Sequence, residues 1–396
     1  MGRTQIVNGA QGISSATSDP IRVAHIMGYM AGGGVEATTM NHYRLLDHAK
    51  VQYDFIVYKD SPNVPLEEIK NYGGRVFYVP PIMHLNSFEN ELSQILQITN
   101  PDIVHSNLNA LSVFPLRVAK KAGIPIRIAH SHSTSNSKEP LRNAAKRILR
   151  LRSKVYPTHL ASCSIDSAIW LFGKQAVENR KVRYIKNAID LPHYAFNTSH
   201  RNELRKQYGL EGKHVLGQIG RFTSQKNYSF SMDVVAKLVS LDPNMIFVAL
   251  GSGNLMQQIK QKAISLNISD HVMLLGNQNN AHAWYSAFDA LLFPSLYEGL
   301  PLTMIEAQAA GLPIIASDRV TPEAFIDEEL ITVLPLNSPT TIWAHKVTEA
   351  FKQTSHNRQV NIDRFTQEGY EIHESASRLQ NWYESLVCSQ NNNPVA

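Results

Sequence analysis

The sequence predicts an α/β protein built from two doubly wound parallel domains, and three observations carry that expectation. A chain of 396 residues is too long for one ordinary core, so two are the natural division. In the first half, short apolar strands alternate with helical stretches, the pattern of a parallel sheet covered by helices. The pattern lapses into an irregular Asn-, Pro- and His-rich segment near 188–200 and then starts again at His214. Residues 1–19 read as a disordered leader, 20–195 as the first domain, 196–369 as the second, and 370–388 as a final helix.

Arg22–Met27 reads as the first strand, Met30–Gly34 as a glycine loop and Val35–His48 as the helix it opens. Further strands are expected at Tyr53–Val57, Arg75–Tyr78, Asp102–His105 and Ile126–Ala129. In the second half, strands are expected at His214–Ile219, Met245–Leu250, His271–Leu275, Ala290–Phe293 and Leu312–Ala316. Pro301 suits the first turn of a helix because its missing N–H costs nothing there. Leu302–Ala310 reads as that helix, closed by Gly311 and Pro313.

The totals exclude several classes. Hydrophobic residues make up 43% and charged residues 18%, the balance of a soluble globular protein, and no apolar run nears the roughly 20 residues of a membrane span. The leader has no apolar core, so it is not a signal peptide. Cys163 and Cys388 show neither metal nor redox spacing, in keeping with a cytoplasmic protein. A net charge of +5 is modest, and its distribution matters more than its size.

Chemistry concentrates at strand ends. Glu298 falls in a strand-to-helix loop and Glu306 eight positions on, inside the helix. A helix start offers free N–H groups to anions, whereas carboxylates accept hydrogen bonds from hydroxyls. Phosphate and polyol together describe a nucleotide sugar. Backbone N–H groups near Leu302 and Thr303, after Pro301, would add phosphate contacts. Arg221 and Lys226 follow another strand, where cations stabilise the charge that develops on a leaving diphosphate. With no Asp-x-Asp motif in a suitable loop, they are expected to replace a divalent metal. Gly33 and Gly34, and Gly251 and Gly253, stand in loops where a backbone can come close to a ligand.

These motifs, in this order and spacing from about residue 21 to 388, resemble the retaining glycosyltransferases of family 4, with the GT-B fold: two Rossmann-like domains facing across a cleft, the last helix crossing back to the first. The resemblance implies that Glu298 faces the donor sugar and Glu306 the ribose, that Arg221 and Lys226 hold the diphosphate, and that a histidine near the Ile126–Ala129 strand end touches the sugar. His132 aligns better than His130 or His105 for that role, and His25 reads as core. It further implies a metal-independent hexosyltransferase using a nucleotide diphosphate sugar such as a UDP-sugar, with no cofactor. The acceptor would be a glycan or lipid-linked molecule of exopolysaccharide or capsule assembly. A nucleotide-sugar epimerase and a catalytically silent scaffold of the same fold are the alternatives.

One basic stretch remains. Arg142, Lys146, Arg147, Arg150 and Lys154 lie on an expected amphipathic helix. It is either a solvated face packed on the domain or a contact with anionic lipid at the inner membrane surface. No recognition motif supports nucleic-acid binding.

Overall fold

The computed structural model describes residues 19–132, 148–353, 358 and 360–392. Two all-parallel sheets organise them. The first holds β1 (Ile21–Gly28), β2 (Val51–Tyr58), β3 (Arg75–Val79), β4 (Ile103–Ser106), β5 (Ile126–Ser131), β6 (His159–Ser162) and β7 (Val182–Tyr184) in the order β3-β2-β1-β4-β5-β6-β7. The second holds β8 (His214–Ile219), β9 (Met245–Leu250), β10 (Val272–Leu274), β11 (Ala290–Phe293), β12 (Ile314–Ser317) and β13 (Ile331–Leu334) in the order β10-β9-β8-β11-β12-β13. Strands β6, β7 and β13 were not expected from the sequence. The glycine-loop helix spans Gly34–Leu45 and so stops three residues short of His48.

Both sheets reverse direction of winding at one point, between β1 and β4 and between β8 and β11. Ligands of open α/β sheets gather at such points, outside the strands' carboxyl ends. There the first sheet presents the glycine loop and the second presents Gly220–Lys226 and Ser295–Glu298. Burial explains why the strands carry near-continuous apolar runs: helices cover both faces. On the first sheet, Val23, Ile103 and Ile128 point to one face and Ala24, Ile56 and Val104 to the other.

The last helix, Ile372–Asn392, returns to the first domain. Its Leu379, Tyr383 and Leu386 join the face that carries Val23 and Ile128. Burying each fully is worth about 1.5–3 kcal/mol. Polar contacts fix its register: Ser375 meets the His42 Nε2 at 2.9 Å, and Gln380 accepts from the Asp47 amide at 2.8 Å. Where the second domain begins, Asp289 accepts from Arg201 (2.6 Å), Arg205 (2.8 Å) and the Val215 amide (2.8 Å), tying the helix Thr198–Gln207 to the edge of β8.

The basic stretch is described only in part. Arg142, Lys146 and Arg147 lie outside the described residues. Residues 148–151 are helical, but 152–155 form turns rather than continuing the helix. Arg150, expected to face a membrane, instead lies over the Trp170 ring at 5.0 Å and lines the cleft between the domains. An aromatic face and a half-buried site hold a guanidinium better than open solvent would.

Candidate active site

The helix Leu302–Ala309 supplies the centre. Its N-cap, Pro301, makes no side-chain cap, so first-turn amides such as Leu302 and Thr303 have no partner within the helix. Gly34 of the first domain comes so near that a Cβ there would lie 3.9 Å from the Leu302 side chain. Asn187 donates to the Leu300 carbonyl at 2.6 Å, bracing the same loop from the chain that links the two sheets. An anion seated on Leu302 and Thr303 would therefore be bordered by the glycine loop. In that loop the Glu36 carboxylate folds back, accepting from the Ala31 amide at 3.3 Å. Gly33 has room for it: a Cβ would stand 2.6 Å from Glu36 Oε2.

The two residues placed on diphosphate and on sugar by the sequence form one ion pair. Lys226 Nζ lies 2.7 Å from Glu298 Oε1, with the side chains 16% and 7% exposed. Gln225 donates to the other carboxylate oxygen and to the Tyr297 carbonyl, both at 3.1 Å. The ammonium also lies 4.7 Å from the Phe293 ring centre. Such a nearly buried pair survives by mutual compensation, since either charge alone would pay for lost hydration. Arg221, by contrast, is exposed at the end of β8.

Glu306 lies one helical stretch deeper. The Tyr285 hydroxyl donates to its Oε2 at 2.5 Å. Burial raises its carboxyl above the usual range; hydrogen bonds from Tyr285 and Tyr194 and the charge of Lys226 oppose that rise. Tyr285, Tyr194 and Gln225 were missed as site residues. Gln225 adjoins Lys226 in sequence, but nothing local marks the tyrosines, which reach Glu306 from other helices.

Gly251 and Gly253 have φ of +133° and +158°. A Cβ on Gly251 would stand 2.1 Å from the Gly220 carbonyl oxygen, and one on Gly253 2.5 Å from that of Phe222. These glycines are required by the packing of their loop against the Arg221 loop, so their reach to a ligand is indirect.

His132 follows β5 and is buried. Its Nε2 meets Asn107 Oδ1 at 2.9 Å, and its ring lies 3.8 Å from that of His130. It belongs to a chain of imidazoles: His105 Nε2 meets His130 Nδ1 at 3.0 Å, His25 stacks on His105, and Tyr383 bonds His105 Nδ1 at 2.7 Å. Burial lowers the His25 and His132 pKa values to about 3. Burial thus keeps the His132 ring neutral near pH 7 and makes it a weak base.

A cleft of about 570 Å³ opens beside Glu298, with Asp166, Ile169 and Trp170 on one wall and Asp318 to Pro322 on the other. Glu323 spans the domains: its carboxylate accepts from the Ile165 amide at 2.7 and 2.9 Å and from the Asp166 amide at 3.2 Å.

Known proteins share this architecture. Residues 32–192 match the profile of Glycosyltransferase Family 4, and residues 200–361 that of Glycosyl transferases group 1. EpsF of Bacillus subtilis, which carries a glycosyltransferase designation, is 33% identical over 371 residues, spanning 91% of this chain and 96% of EpsF. The UDP-Gal:alpha-D-GlcNAc-diphosphoundecaprenol alpha-1,3-galactosyltransferase of Escherichia coli is 22% identical, covering 95% of this chain and all of the relative. Among solved structures, Anabaena HepE with UDP and glucose superposes with a TM-score of 0.75 at 15% identity, over 92% of this chain and all of HepE. Two facing parallel sheets, the paired motifs in order and a relative matched nearly end to end lead to one assignment: the chain belongs to glycosyltransferase family 4, has the GT-B fold, and is a glycosyl-transferring enzyme.

Proposed function

We propose that this enzyme moves a hexose from a UDP-sugar to a lipid-linked glycan acceptor of surface-polysaccharide synthesis, retaining the anomeric configuration and using no divalent metal. The observation that carries the proposal is the Lys226–Glu298 ion pair set beside the uncapped helix start at Leu302. When the sugar–phosphate bond breaks, negative charge grows on the diphosphate; helix amides, Lys226 and the exposed Arg221 would meet it. Glu298 then takes hydroxyls of the sugar, and Glu306 those of the ribose. Retention follows from attack on the face the diphosphate leaves, within the short-lived ion pair. The uridine and lipid-linked acceptor are supported by the name of the Escherichia coli galactosyltransferase and by the UDP bound to HepE.

A panel of nucleotide sugars read by thermal shift identifies the donor, since saturation at 100 times Kd stabilises by about 2.7 kcal/mol. Transfer is then measured in EDTA and the product's anomer determined. Strict need for a divalent cation, or an inverted product, overturns the corresponding clause.

Glu306→Gln is expected to raise the donor KM about tenfold or more with little loss of kcat, because ribose is held alike in ground and transition states. Steady-state kinetics against donor concentration check it. A fall in kcat at unchanged KM would place Glu306 at the reacting centre instead.

Membrane docking is proposed through the surface around residues 148–155. Ile148, Leu151 and Val155 are 65%, 79% and 55% exposed, with Arg152 and Lys154 exposed beside them. No helix among the described residues is long and apolar enough to cross a membrane. Sedimentation should show binding to vesicles with anionic lipid and none to neutral ones, weakening as salt screens the surface within about 10 Å at 0.1 M. Arg152→Glu with Lys154→Glu should abolish it; equal binding to both vesicle types would discard the electrostatic reading.

A further inference from the structure

We propose that Trp170 and Asp166 form the subsite for an uncharged sugar ring of the acceptor, with Arg319 facing them across the cleft. This deepens the transfer reading above and rests on it. The cleft of about 570 Å³ lies within the range of about 300–1,000 Å³ that small-molecule sites occupy. Glu298, assigned to the donor sugar, is one of its lining residues, so a molecule in the cleft can bring a hydroxyl to the sugar being transferred.

The walls suit a pyranose. Trp170 is an aromatic plate against which the C–H face of a ring can pack, and the exposed Ile169 extends that apolar strip. Arg150 lies over the indole at 5.0 Å and holds it in place. The Asp166 carboxylate is exposed at the rim, able to accept from ring hydroxyls. Opposite, Arg319 and Asp318 pair at 3.2 Å and offer donors and an acceptor together.

Charge selects the class of ligand. Among the described lining residues, Arg150 and Arg319 stand against Asp166 and Asp318, and Glu298 pairs with Lys226. A balanced wall favours a neutral polyol over a phosphate, so the diphosphate of a lipid-linked acceptor would lie outside this cleft. The wall is also preorganised. Trp170 and Asp166 share the helix Ile165–Phe172, whose first amides are held by Glu323 from the second domain.

The test uses the full-length enzyme and a soluble acceptor analogue, N-acetylglucosamine α-diphosphate carrying a short alkyl chain, with the donor found by the panel. Trp170→Ala is expected to raise the acceptor KM at least tenfold while Trp170→Phe, which keeps an aromatic plate, stays within about threefold. Asp166→Asn should raise the acceptor KM with the donor KM unchanged. An unchanged acceptor KM in Trp170→Ala and Asp166→Asn overturns the subsite. Equal losses in Trp170→Ala and Trp170→Phe, with lowered Tm and impaired UDP binding, overturn it in favour of a purely structural tryptophan. Failure of the transfer reading looks different: the unaltered enzyme would then turn over no donor with or without the analogue.

Discussion

Lys226→Ala is expected to lower turnover about 10²–10³-fold, the effect of losing one preorganised contact to charge that develops in the transition state. The structure adds a second consequence. Lys226 is an ionic partner of Glu298 at 2.7 Å, and removing one member of a nearly buried pair takes this charge compensation from the other. Lys226→Ala should therefore also lower thermal stability. Glu298→Gln keeps the shape and lightens that penalty, so the double variant should be more stable than Lys226→Ala alone although no more active. Chemical denaturation and single-turnover kinetics on the three proteins separate the two roles. Additive stability losses in the double variant would mean that the pair is not coupled.

Acid should unfold the protein near pH 5. His25, His42, His105, His130 and His132 line one small cavity with Tyr53, Asn107 and Tyr383, and none of the described lining residues is acidic. Burial is the largest cause lowering all five pKa values, and neighbouring imidazoles add to it for His25, His105 and His130. Because each folded pKa lies below the unfolded value of 6.5, the unfolded chain binds more protons once pH drops below 6.5. The stability these groups confer is complete above that pH and is lost as pH falls toward the folded values. Well below pH 6.5 each strongly lowered histidine costs about 1.4 kcal/mol per pH unit, and the four with large shifts, His25, His105, His130 and His132, together approach about 6 kcal/mol. A net stability of about 5–15 kcal/mol would be spent within one to two units. Near-UV circular dichroism against pH checks this; a midpoint below pH 4 would show that the imidazoles do not govern acid stability.

The sequence was legible where local pattern and chemistry coincide. The strand, Pro301 and the helix after it could be placed because an apolar run, a turn and a Pro-started helix follow one another within 20 residues. Lys226 and Glu298 were each recognised, but their pairing was not, because 72 positions separate them and β8 and β11 become neighbours only through the sheet order. The histidines show the same limit. His130 near the end of β5 and His132 just beyond it are two positions apart, a spacing that keeps to one face of an extended chain. That His25 and His105 sit beside them depends on β1 lying next to β4. Arg150 was misplaced because charge along a helix says nothing about the indole it meets, which comes from a later helix.

The return of the last helix has a consequence for how the protein is made. Tyr383 meets His25 across 358 positions and His105 across 278, so the face of the first sheet that carries these histidines is covered only in part, by Met40 and Tyr43 of the helix Gly34–Leu45, until residues 372–392 emerge from the ribosome. The second domain can complete its own core earlier, from a continuous stretch of chain. Synthesis thus begins with the first domain but finishes it last, and the closing contacts span nearly the whole chain, the kind of loop that is slow to shut. During that interval an apolar surface with Val23, Ile103 and Ile128 at its centre is partly open on the nascent chain. That makes the half-made enzyme a natural client for chaperones that bind exposed hydrophobic segments.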